Sequence, residues 1–162
     1  MKVVKTIKCK NNFGKMVELS LDKFQSRPSV YAILRRDNSI LMCRNKSNGK
    51  IWFPGGGVDS NETHEQALRR ECLEETGVND IRIKKLLADY QNYFYYKPED
   101  LAMDAHIFFY ECETNQEKVK LNDEIDDEEA IDFQWLKINQ IVQDDLCDLN
   151  EEIYNLLISL QI

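Results

Sequence analysis

The sequence predicts an α/β (α+β) fold, a mixed β-sheet with helices on both faces, preceded by an N-terminal β-hairpin. Strand-like and helix-like segments alternate irregularly, and several strand pairs are joined by short turns. No repeat, low-complexity stretch or linker divides the 162 residues, a length that suffices for one domain with a substantial core.

The elements follow in order. "VVKTIKC" and "KMVELSL" alternate apolar and polar residues around the turn-like "KNNFG" and read as the hairpin. "PSVYAILRR" and "SILMCRN" are apolar strands around "RDNS", followed by the loop "KSNGK" and a short "IWF". Thr63 is a good N-cap and Gln66 completes a capping box, so a helix starts near His64 and Gly77 stops it. "IRIKKLLADYQNYFYY" reads as an extended strand, "KPED" as a turn and "AMDAHIFFYECE" as a buried strand. The acidic "NDEIDDEEA" is a loop or short helix and "IDFQWL" a further strand. In "DLNEEIYNLLISLQI", Ile153, Leu156, Leu157 and Leu160 share one face of a closing helix.

Composition narrows the function classes. The chain is 43% hydrophobic and 31% charged, as a soluble globular protein should be. "MKVVKTIKCK" has no unbroken apolar run, so neither a secretory signal nor a membrane span is expected. Cys9, Cys43, Cys72, Cys112 and Cys147 are odd in number and scattered, which suits reduced thiols of a cytoplasmic protein. With only His64 and His106 available, any metal must be held by oxygen ligands, pointing to magnesium, calcium or manganese. A net charge of −8 argues against a nucleic-acid polymer as partner, while small phosphorylated substrates remain open through a bound cation.

The stretch "PGGGVDSNETHEQALRRECLEETGV" carries the chemistry. At about 100° per residue, Glu71, Glu74 and Glu75 fall within an arc of roughly 100° on the helix. Ala67 and Leu68 lie on that same side one turn earlier. A solvated acidic face is one reading. However, like charges at these spacings repel by a few tenths of a kcal/mol per pair. Their place near the helix C-terminus adds roughly 0.3–1 kcal/mol each. Within the segment only Arg70 can brace them, whereas a divalent cation relieves both costs. Pro54 and the three glycines that follow form either a tight turn or a backbone that closely approaches a ligand.

From Gly56 the chain reads G, five residues, Glu62, seven residues, Arg70-Glu71-Cys72, one residue, Glu74-Glu75, one residue, Gly77-Val78. This is similar to the signature of the Nudix hydrolases, typified by the MutT enzymes. Cys72 stands where an aliphatic residue is usual and is small and apolar enough to pack. "SVYAILRRDNSILMCR", "WFPGG" and "FQWL" also resemble the family. The resemblance implies a Nudix-type α/β/α sandwich over residues 27–162, with residues 1–26 as a hairpin extension and homodimerisation an open possibility.

It further implies a Mg²⁺-dependent pyrophosphohydrolase, with Mn²⁺ able to substitute. The substrate would be a nucleoside diphosphate linked to another group, with a nucleoside triphosphate or dinucleoside polyphosphate favoured. The alternative is a non-catalytic module that senses a nucleotide metabolite. Glu71, Glu74 and Glu75 would bind metal, with the Gly55 carbonyl as a further ligand and Arg70 holding Glu71. Glu62 would serve the fold near the helix start. Glu128 or Glu129 would be a further ligand or the catalytic base, or else part of a solvated loop. Arg44 matches a phosphate-contacting position, though a surface arginine also explains it. Tyr95 lies near where relatives cleaving dinucleoside polyphosphates carry a tyrosine, although aromatics at strand spacing also suit a core.

Overall fold

The computed structural model describes residues 5–46, 48–121, 124, 130–146 and 150–160. Its strands are β1 (Thr6–Asn11), β2 (Met16–Ser20), β3 (Phe24–Arg36), β4 (Ser39–Asn45), β5 (Ile51–Trp52), β6 (Gly55–Gly57), β7 (Arg82–Tyr96), β8 (Leu101–Glu113) and β9 (Ala130–Lys137). The helices are α1 (His64–Glu71), which continues as a π-helical turn over Cys72–Thr76, and α2 (Asn150–Ser159).

These strands form one mixed sheet in the order β2-β1-β7-β8-β3-β4-β5, with β6 added to β3 and β9 to β4. Parallel pairing joins β3 to β8 from Phe24↔Ala102 to Arg35↔Glu113. The N-terminal hairpin is part of the same sheet: β1 runs parallel to β7 through Lys10↔Phe94 and Asn11↔Tyr95.

Side-chain alternation divides the core into two layers, as the period of two along a strand requires. Val30, Ala32 and Leu34 of β3, with Leu41 and Cys43 of β4, face Ala67, Leu68 and Cys72 of the first helix. Ile33, Ile40 and Met42 point to the opposite face and pack with Phe53, Phe109, Ile153 and Leu157. Leu156 and Leu160 pack against this second layer, as their spacing predicts. The sheet is therefore sandwiched between α1 and α2, the expected α/β/α arrangement. Cys9, Cys43, Cys72 and Cys112 are buried free thiols. Among the described residues, no helix is long and apolar enough to cross a membrane.

Two local expectations need correction. The glycine segment is a strand: Val30 faces Gly56 and Tyr31 faces Gly55 in antiparallel register. Glycine carries no side-chain pattern, so only the tertiary position beside β3 discloses it. The first helix also does not keep α geometry as far as Gly77. Its last turn is π-helical and ends on Gly77 at φ 74. This wider turn changes how the three glutamates are disposed.

Candidate active site

The site is built where α1 meets the free edge of β6. Helix α1 starts as the sequence requires, because the Thr63 side chain accepts from the Gln66 amide and the Gln66 side chain accepts from the Thr63 amide. Seven residues on, Arg70 becomes the hub. Its Nε and Nη2 donate to the two oxygens of Glu62, each at 2.8 Å. Its Nη1 donates to Glu71 at 2.8 Å and to Glu74 at 3.3 Å, and Nη2 also reaches the Gly57 carbonyl at 3.0 Å. The fork-on-fork pairing fixes the guanidinium plane as an ammonium could not. Arg70 holds the Glu62 carboxyl down to a pKa of about 2. In return Glu62, with Glu71 behind it, raises the arginine further.

The glycine strand receives the acids. In an antiparallel pair, residues alternate between directing their backbone groups at the partner and away from it. The Gly55 amide points away from β3 and donates to Glu75 Oε2 at 2.8 Å, and Glu75 is only 9% exposed. By the same alternation the Gly55 carbonyl lies on this outer edge too. Glu71 rests on Gly56, where a Cβ would come within 2.8 Å of its Oε1. Burial raises the Glu71 pKa, and hydrogen bonding from Arg70 opposes that rise. Gly55 itself has φ 142, and a Cβ there would sit 2.1 Å from the Val30 carbonyl oxygen. Only glycine fits.

The three carboxylates are not equivalent. Glu71 and Glu75 are held against the strand, whereas the Glu74 side chain is 60% exposed on the outer side. Among the described residues, no three acid, imidazole or thiol side chains stand together as a ready-made metal site. Glu74 thus stands apart from the other two, on the outer side of the π turn. The donor set still fits a hard cation, since the Glu71 and Glu75 carboxylates and the Gly55 carbonyl supply oxygens along one strand edge. The glycine cradle leaves the space that such donors need.

The helix C-terminus has a partner that the sequence segment does not show. Lys120 Nζ donates to the Glu74 carbonyl at 2.7 Å, and its amide donates to the Thr76 carbonyl at 2.9 Å. Its aliphatic stem lies over Gly77. Gln116 Nε2 adds a bond to the Gly77 carbonyl at 3.0 Å. A cation therefore meets the negative end of the helix, offsetting the crowding of acids there.

The remaining expected residues are more scattered. Arg44 is exposed on β4, opposite Ile51, and its Nη1 donates to the Gly49 carbonyl at 2.6 Å. Tyr95 lies opposite Ala102, which itself faces Phe24, so it stands roughly 20 Å along the sheet from the Val30–Gly56 row. Its hydroxyl donates to Asp100 at 2.8 Å, and the structure does not bring it to the carboxylates. Glu128 and Glu129 lie outside the described residues. A cleft of about 430 Å³ lined by Arg35, Arg36, Arg82 and Glu113 opens at the C-terminal end of β3, away from this site. Each of its arginines is paired with a glutamate, so the chemistry belongs to the carboxylates on β6. Arg27, which no motif or spacing singles out, lies against Gly57.

An acidic helix docked through an arginine hub onto a glycine strand, inside an α/β/α sandwich, defines a class of protein. The family model of the NUDIX domain matches residues 25–157. The chain belongs to the NUDIX family and is a Nudix hydrolase, an enzyme acting on acid anhydrides. It is 29% identical over 140 residues to the nucleoside triphosphatase NudI of Escherichia coli O139:H28, covering 75% of this chain and 89% of that protein. It is 40% identical over 74 residues to the RNA pyrophosphohydrolase of Yersinia enterocolitica, covering 44% of this chain and 41% of that one. The crystal structure of a MutT protein from Methanosarcina mazei Go1 superposes with a TM-score of 0.62 at 22% identity, covering 85% of this chain and 96% of that chain.

Proposed function

We propose that this enzyme hydrolyses a phosphoanhydride bond of a small nucleotide by attack of water on phosphorus, with Mg²⁺ as its cofactor. The favoured substrates are a nucleoside triphosphate, supported by the likeness to NudI, and a dinucleoside polyphosphate. The reading is carried by the docking of Glu71 and Glu75 onto Gly55 and Gly56 at the open edge of β6.

In this reading Glu71, Glu75 and the Gly55 carbonyl hold the metal, with Glu74 reaching in from the outer side. When bound, the metal neutralises the polyphosphate and lowers the pKa of a coordinated water. Arg70 fixes the Glu71 carboxylate through Nη1 and ties the helix to the strand through the Gly57 carbonyl. Arg44, exposed at the end of β4, offers a cation to a phosphate oxygen. Glu128 or Glu129 would take the proton from the attacking water. Positioning and electrostatics then supply most of the rate.

The test is phosphate or pyrophosphate release from a panel of nucleoside triphosphates and dinucleoside polyphosphates, with and without Mg²⁺. Turnover should require the metal and fall by at least about a hundredfold in Glu75→Gln. Binding without product by the wild-type protein would make it a sensing module and end this reading.

A further inference from the structure

We infer that Arg27, lying on Gly57, forms a seat for a phosphate group of the substrate beside the metal-binding edge; the inference rests on the function proposed above. Of the described arginines, Arg27 alone has no acceptor. Arg35, Arg36, Arg69, Arg70 and Arg82 pair with glutamates, and Arg44 donates to the Gly49 carbonyl. The chain carries 29 acidic residues against 21 basic ones, so an exposed guanidinium with neither a carboxylate nor a carbonyl partner is the exception among the described arginines.

Its placement is specific. A Cβ at Gly57 would stand 2.5 Å from Arg27 Nη2, 2.7 Å from Nε and 2.9 Å from Cζ, so the guanidinium occupies the space that the glycine leaves. An ordinary surface arginine needs no glycine beneath it. On the opposite face of the same short strand, Glu71 occupies the space above Gly56 in the same way. Arg27 and Glu71 thus flank the strand, with only its backbone between them. The outer edge of this strand pairs with no other strand among the described residues, so a phosphate chain crossing that edge reaches both.

The chemistry fits a phosphate. A guanidinium presents a rigid fork of donors that matches two phosphate oxygens, and none of this one's donors is committed to the protein. Because the seat lies to one side of the strand edge where water is activated, it holds the substrate in ground and transition states alike. Its loss should therefore raise KM and leave kcat.

The experiment titrates inorganic tripolyphosphate with Mg²⁺ into the full chain by calorimetry, a probe that removes any dependence on the base. Arg27→Ala should weaken its binding about tenfold or more and raise KM for the best nucleotide of the panel by a similar factor. Gly57→Ala should do the same with the arginine still present, and Arg27→Lys should recover only part of the affinity. Mn²⁺ binding without phosphate, read by electron paramagnetic resonance, and Tm should match the wild type in Arg27→Ala. Unchanged tripolyphosphate affinity in Arg27→Ala overturns the seat. A kcat loss at constant KM, or a loss of Mn²⁺ binding or Tm, also overturns it by giving the residue another role. Failure of the wild-type protein to turn over any nucleotide instead removes the functional reading beneath it.

Discussion

Replacing Gly56 by alanine isolates what the glycine strand does for the acids. Gly56 is not in the left-handed region, so alanine meets no backbone strain there. Its Cβ would lie 2.8 Å from Glu71 Oε1, 3.0 Å from Cδ and 3.2 Å from Oε2. To move from 2.8 Å to the 3.4 Å of ordinary contact, the carboxylate must retreat by about 0.6 Å. That retreat disturbs the 2.8 Å bond from Arg70 Nη1. Misplacing a catalytic group by about 1 Å costs on the order of a hundredfold in rate. A kcat lower by about 10–100-fold is therefore expected, equivalent to about 1.4–2.7 kcal/mol in the barrier. Stability should change by less than about 1 kcal/mol, because the displaced atoms end a side chain and alanine restricts the unfolded chain. Gly55→Ala is the contrasting variant: its Cβ meets the Val30 carbonyl at 2.1 Å and the Tyr31 Cα at 2.7 Å, so the fold itself should suffer. The assay is steady-state turnover with thermal melting of both variants. Wild-type kcat in a folded Gly56→Ala protein would refute the idea that Glu71 must rest on this backbone.

Two further outcomes are expected. Lys120→Met keeps the stem over Gly77 but removes the ammonium from the Glu74 carbonyl, which should cost about 1 kcal/mol and lower Tm by about 2–4 °C in a scanning calorimeter. Glu62, depressed from its ordinary 4.5 to about 2, contributes stability that is fully present above about 4.5 and lost as pH falls toward about 2. Denaturant titrations across that window should show a shallower loss in Glu62→Gln than in the wild type.

What the sequence discloses about this site follows the range of the interactions. The start of α1 is set by Thr63 and Gln66, three residues apart, and the Arg70–Glu71 contact joins neighbours; both are legible locally. The two-layer core is legible too, because the alternation in β3 and β4 carries it. Strand β6 is not, since glycines show no pattern and the segment is a strand only because Val30 and Tyr31 lie beside it. Lys120 and Arg27 are far from the signature in sequence and reach it only after folding. The aromatic run around Tyr95 reads as either core or binding surface by spacing alone, and its place far along β7 is decided by pairing with β8 and β1.

The parallel pairing of β3 with β8 has a consequence for how the protein is made. During synthesis β3 emerges long before its central partner, which follows only after the glycine strand, α1 and β7. At a translation rate of about 5–20 residues per second, the interval is roughly 4–16 s. Throughout it Val30, Ala32, Ile33 and Leu34, all fully covered in the finished molecule, must wait without β8 beside them. The ribosome-bound half-chain therefore carries an inner strand of the finished sheet with its long parallel edge still unpaired.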